Sequence, residues 1–204
     1  MAFASTSSAN TPSPGIVCLA ASAGGLAALT AIISGFKAPL PAAMVVVQHR
    51  IPDQRSMLDR ILSRASVMPV GVVADDARIA AGRVYVAPPN CHVLCATASR
   101  FRLVDGARIR HVCSSADPLF TSAAQVFGAR TIAVVLTGYD SDGSDGARAI
   151  AAAGGRVVVQ NPQTAEVGAM PRSALDATHS ALALELDDIA RFLERETAGW
   201  SGGP

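Results

Sequence analysis

The chain has 204 residues, of which 50% are hydrophobic and 16% charged, with a formal net charge of +1. That balance suits one α/β domain with a full core; it excludes a disordered chain and gives no reason to expect nucleic acid or anionic membrane as a partner. No apolar run approaches the ~18 residues of a spanning helix, so membrane insertion is not expected either.

Residues 1–14, MAFASTSSANTPSP, lack a basic stretch followed by an apolar one. They read as a disordered tail rather than a secretory signal, which makes the cytoplasm the expected location. A single catalytic-type domain is expected over 15–195, with 196–204 as a flexible C-terminus. Within it, apolar β-branched runs at 16–19, 44–47, 70–73, 84–87, 131–136, 156–160 and 181–184 read as strands. Several are continuous rather than alternating, as in parallel strands covered on both faces. Helical patterns at 26–35, 54–64, 118–127, 143–153 and 187–194 lie between them, with Asp117 and Asp187 as expected N-caps. CHVLCATASRFRLV, at 91–104, interrupts the alternation as a β-hairpin. The expected fold is α/β: a doubly wound, mostly parallel sheet with helices on both faces and one inserted antiparallel hairpin.

Cys18, Cys91, Cys95 and Cys113 match no strong zinc spacing and read as reduced thiols serving as small hydrophobes. A metal set of Cys91, Cys95, His111 and Cys113 is the alternative. No metal and no organic cofactor is expected.

In sheets of this kind, chemistry gathers beyond the carboxyl ends of the strands. After the first strand comes AASAGG, 20–25, opening into a helix, so Ser22 sits on a turn among residues with almost no side chain. Its hydroxyl would stand near free N–H groups at a helix start, a loose version of the G-x-S-x-G elbow. A small-residue packing turn fits the same letters; a nucleotide-binding turn lacks the glycine spacing. After the second strand comes QHR, placing His49 where a general base is useful; His92, His111 and His179 stand in less telling contexts. After the strand at 131–136 comes LTGYDSDGSDG. An EF-hand counted from Asp140 fails, because Asp145 falls where glycine is required and Ala151 where glutamate is. Asp145 then serves the following helix and Asp140 a turn, which leaves Asp142 to face the cleft. Serine, histidine and aspartate at three strand ends are the parts of a triad, a unit defined by geometry and not by chain order.

AASAGGL, VVVQH, GRVYVAPPNCH, DPLF, VVLTGYDSDGSDGARAIAAAGG and VVVQNPQTAEVGAMPRSAL together, in this order, resemble the catalytic domain of CheB-type chemotaxis methylesterases, over roughly residues 15–193. The resemblance implies hydrolysis of γ-glutamyl methyl esters on chemoreceptors, with deamidation of certain glutamines, in chemotaxis-type signalling. It also implies that Ser22, His49 and Asp142 are the catalytic residues. Ala23, Tyr139 and Met170 fall among the oxyanion and substrate-binding residues, Tyr139 where a backbone N–H helps to hold the oxyanion. The implied partner is the cytoplasmic helical bundle of a methylated receptor, with no nucleic acid. Arg50, Arg55, Arg60 and Arg64 could meet an acidic face of that bundle or simply be a solvated helix face.

This chain departs from the family pattern at Ala23, often threonine, at Tyr139-Asp140 in place of Met-Gly, and at GAMP in place of GMP. Asp140 brings a second negative charge near Asp142, able to raise a carboxylate pKa or to compete for His49. These departures motivate the alternative of a non-catalytic scaffold with the same fold. The fifteen or so residues before the domain are too few for the receiver domain that usually precedes it, so relief of inhibition by phosphorylation within this chain is not expected. Oligomeric state cannot be read from the sequence.

Overall fold

The structure is a computed structural model that describes residues 14–49, 57–105 and 114–201. Nine strands and six α-helices follow in chain order among the described residues: β1 (Gly15–Ala21), α1 (Gly25–Gly35), β2 (Ala42–Gln48), α2 (Leu58–Ala65), β3 (Val70–Val72), β4 (Arg83–Val86), β5 (Cys91–Thr97), β6 (Arg100–Asp105), α3 (Ala116–Phe127), β7 (Thr131–Val135), α4 (Ser144–Ala152), β8 (Arg156–Gln160), α5 (Ala169–Ala177), β9 (Leu182–Leu184) and α6 (Leu186–Thr197). Seven strands form one sheet in the order β3-β4-β2-β1-β7-β8-β9, parallel at every pairing, and β5 with β6 forms a separate antiparallel hairpin. The expected doubly wound sheet with one hairpin is therefore what the chain adopts.

The reason is legible in β1, where every residue is apolar or glycine and all are buried. Ile16, Cys18 and Ala20 pack into one core layer with α3, α4, α5 and the hairpin. Val17, Leu19 and Ala21 pack into the other, with α1, α2 and α6. A strand with core on both faces has no polar side to alternate with. Chain order reverses at β1: β2 lies on one side of it and β7 on the other. That is the switch point at which the loops following parallel strands part to leave a cleft.

Three expectations need correction. Ser115, not Asp117, caps α3, its hydroxyl accepting from the Asp117 N–H at 3.3 Å. Asp117 lies in the first turn, and its Oδ1 instead accepts from Gly146 N–H on α4 at 2.8 Å. At α6 the cap position is Glu185, with Asp187 in the first turn. Helix α5 was not expected at all: Gly168 before it and Pro171 inside its first turn look like a loop, although proline is tolerated there because first-turn N–H groups have no intrahelical partner.

At the C-terminus, α6 and a 3₁₀ turn run on to Ser201, past the expected boundary at 195. Thr197 is fully buried, and Trp200 packs so close to Gly15 that a Cβ there would lie 2.1 Å from its ring. Apart from Pro14, the expected tail lies outside the described residues. So do His111, Cys113, Arg50 and Arg55.

Candidate active site

The nucleophile turn is built from backbone. Register pairs Ala21 with Gln48, so Ser22 and His49 are the next residues on neighbouring strand ends. The His49 N–H donates to Ala21 O at 2.9 Å. On the other side of β1, the Ser22 N–H donates to Thr137 O at 2.9 Å. Gln48 Nε2 donates to the carbonyls of both Ser22 (2.7 Å) and His49 (3.1 Å), tying serine turn to histidine turn. Thr137 Oγ1 donates to Ala23 O at 2.8 Å and accepts from the Val167 N–H at 2.9 Å, which fastens in the loop after β8.

Small residues are needed for this. Gly24 turns at φ +73°, a left-handed conformation that favours glycine, and opens α1 directly. Gly138 passes so close beneath the serine that a Cβ there would stand 2.7 Å from Ser22 Cβ and 2.6 Å from Met170 Sδ. Ser22 itself is half-buried, and its hydroxyl makes no hydrogen bond to a described residue. The backbone N–H groups of Ala23 and Tyr139 likewise donate to no described residue.

The charged part comes from the loop between β7 and α4. Asp142 is 0% exposed, and its Oδ2 lies 2.7 Å from His49 Nε2. The same oxygen accepts from the Ala116 N–H at 2.6 Å; Oδ1 accepts from Ser115 Oγ at 2.5 Å and the Asp117 N–H at 3.4 Å. The carboxylate thus sits on the N-terminus of α3, where unpaired N–H groups and the helix dipole favour an anion. Burial alone would raise its pKa, but the His49 contact and the Ala116 and Ser115 donors outweigh burial and hold it below the usual value of 3.8.

The second carboxylate, Asp140, meets the other side of the same ring. Its Oδ2 is 3.3 Å from His49 Nδ1, and its Oδ1 accepts from the Asp142 N–H at 3.0 Å. Burial disfavours charge on His49, yet Asp140 and Asp142 together overcome it and lift the ring from 6.5 to about 9.

Of the residues singled out in the sequence, Ser22, Ala23, His49, Tyr139, Asp140 and Asp142 meet at the carboxyl ends of β1, β2 and β7. Met170 is fully buried beneath Gly138, its N–H donating to Gly138 O at 2.9 Å, so it supports the loop from behind. Ser115, Ala116, Gln48 and Thr137 were missed. Ser115 had a readable cap signal, Ser-x-Asp before an apolar helix, but nothing in the letters joins it to an aspartate 27 positions on. Buried His92 is a further member: its Nδ1 accepts from the Ser115 N–H at 3.1 Å. His179 is exposed.

Of the described thiols, Cys18 and Cys95 are buried, and burial pushes Cys95 up to about 12. Among the described residues, no three His, Cys, Asp or Glu side chains come together as metal ligands, and no helix is long and apolar enough to cross a membrane.

The chain matches the family model described as CheB methylesterase over residues 17–193. It is 37% identical over 187 residues to the "Protein-glutamate methylesterase/protein-glutamine glutaminase of group 3 operon" of Rhizobium meliloti, covering 92% of this chain and 53% of that protein. It is 35% identical over 190 residues to "Protein-glutamate methylesterase/protein-glutamine glutaminase 4" of Myxococcus xanthus, covering 93% and 54%. A shorter relative, from Leptospira interrogans, is 36% identical over 179 residues, which are 88% of this chain and 93% of that one. This chain thus spans about half of the first two relatives and nearly all of the third. Among solved structures it is similar to the Thermotoga maritima CheB methylesterase catalytic domain, with a TM-score of 0.83 and 30% identity, covering 90% of this chain and 99% of that one. The protein belongs to the CheB methylesterase family.

Proposed function

We propose that this protein is a serine hydrolase that removes methyl groups from γ-glutamyl methyl esters of chemoreceptors, and that deamidates receptor glutamines, in chemotaxis-type signalling. The observation that carries the reading is the buried Asp142–His49 pair beside a half-buried, unbonded Ser22 hydroxyl, in a chain of this family.

Ser22 Oγ attacks the ester carbonyl carbon as His49 takes its proton. Asp142 fixes the ring tautomer and stabilises the imidazolium as it forms. The Ala23 and Tyr139 N–H groups receive the oxyanion, each such donor lowering the barrier by on the order of 3 kcal/mol. Methanol leaves with the proton from His49, or ammonia when the substrate is glutamine. Water, deprotonated by His49, then opens the acyl-enzyme to glutamate, and Ser22 recovers its proton.

The substrate is a receptor's helical bundle met in the cytoplasm. Support for docking by α2 comes from Arg60 and Arg64, exposed four residues apart on one helix. Methanol release from a methylated receptor fragment tests the reading: wild type is expected to release it and Ser22→Ala, folded by circular dichroism, to release none. Equal release by both would remove Ser22 from the chemistry. Labelling of Ser22 by a fluorophosphonate is expected as well, and its failure would favour the scaffold.

A further inference from the structure

The esterase reading needs one His49 nitrogen for an aspartate and the other for Ser22. Asp142 holds Nε2 at 2.7 Å, so Nδ1 is the nitrogen left for the serine, and Asp140 Oδ2 stands 3.3 Å from it. The two carboxylates are held very differently. Asp142 is fully buried on the N-terminus of α3, whereas the Asp140 side chain is 33% exposed. The Asp140 contact, at 3.3 Å, is also the longer of the two and does not meet hydrogen-bond geometry at Nδ1. Such a pair parts more readily than an aligned, buried one.

We propose that Asp140 is a positioning residue that keeps His49 in a resting, doubly paired state, and that its carboxylate must leave Nδ1 before Ser22 can be deprotonated. The proposal rests on the esterase reading. Among the described residues, the titratable groups facing His49 are Asp140 and Asp142. With burial opposing the charge and both carboxylates favouring it, the ring titrates at about 9. The protonated ring therefore predominates at pH 7, and only the neutral ring is a base.

When Asp140 withdraws, the Nδ1 proton passes to water and the freed nitrogen becomes available to accept the Ser22 proton. Substrate docking is the event that moves it. Tyr139, the preceding residue, is 76% exposed and carries one of the oxyanion N–H groups, so a receptor helix that reaches the oxyanion position meets this loop first. Asp140 thereby ties basicity at His49 to occupancy of the site.

Asp140→Asn is the clean test, because its amide oxygen still accepts from the Asp142 N–H while the charge is gone; Asp140→Gly is the second variant. The His49 ring is titrated by NMR, and kcat/KM is measured against pH on a small activated ester and on a methylated receptor fragment. In Asp140→Asn the His49 midpoint is expected to fall by one pH unit or more, with the acid limb of the profile moving alongside it. Activity on the small ester at pH 7 is expected to rise about tenfold, and less on the receptor fragment, whose docking already displaces Asp140. An unmoved midpoint, or a moved midpoint with unchanged profiles, in variants that turn over ester would overturn the gate alone. No turnover by wild type or either variant, with all three folded, would overturn the gate and the esterase reading together.

Discussion

The turn after β1 and the loop after β7 meet at one site but are built on opposite principles. The β1 turn holds no charge; its serine is placed by backbone and neutral side chains, through Thr137 O, through the Gln48 amide bridging two carbonyls, and through Gly138 pressed beneath. The β7 loop carries the charge, and within two residues it sets one carboxylate in full burial and another at the rim. A nucleophile needs position, which hydrogen-bonded backbone supplies. A base needs a particular protonation state, which only neighbouring charges and burial can set.

Breaking the buried half of the loop should have the largest effect. Asp142→Asn turns one of two fully accepting oxygens into a donor, facing His49, Ser115 and two backbone N–H groups. We expect kcat to fall on the order of 10⁴-fold, with a lowered melting temperature besides. A variant that keeps more than a tenth of the wild-type kcat would mean that the ring is oriented by something else.

The charges should also appear in folding. His49 is raised from 6.5 to about 9, so its contribution is complete below pH 6.5 and is lost as pH rises through about 9. Asp142 is lowered from 3.8, so its contribution is present above that value and is lost as pH falls through its lowered value. Unfolding free energies from urea titrations should therefore form a plateau between roughly pH 4 and 6.5 and fall by a few kcal/mol by about pH 10. A flat alkaline side would show that His49 is not paired as described.

The β1 turn is sharpened by a smaller change. Gly138→Ala would press a methyl group against Ser22 Cβ and Met170 Sδ, and fully buried Met170 has little room to yield. A loss of about 1–3 kcal/mol is expected, with kcat reduced more than KM is raised, because the serine is displaced. Melting and turnover like wild type would mean that the turn is looser than its contacts imply.

Most elements could be read from the letters because continuous apolar runs such as VVV in β2 and TIAVV in β7 fit only strands with core on both faces. Helix α5 was not readable, since glycine and proline at its start signal loops as strongly as they tolerate helices. The cap of α3 was misplaced for another reason. Asp117 is as good a capping residue as Ser115, but it serves Gly146 on α4, a partner 29 positions away.

The site divides in the same way. The sequence by itself determined the residue types at each strand end, hence a serine, a histidine and an aspartate brought to one cleft. Those follow from local patterns and the rule that parallel strands end together. Only the tertiary structure decided which aspartate is buried on α3, that Ser115 and His92 stand behind it, and that Asp140 meets the opposite nitrogen of the same ring. Burial and the distance between charges are properties of packing, and they decide which of two neighbouring carboxylates orients the base and which restrains it.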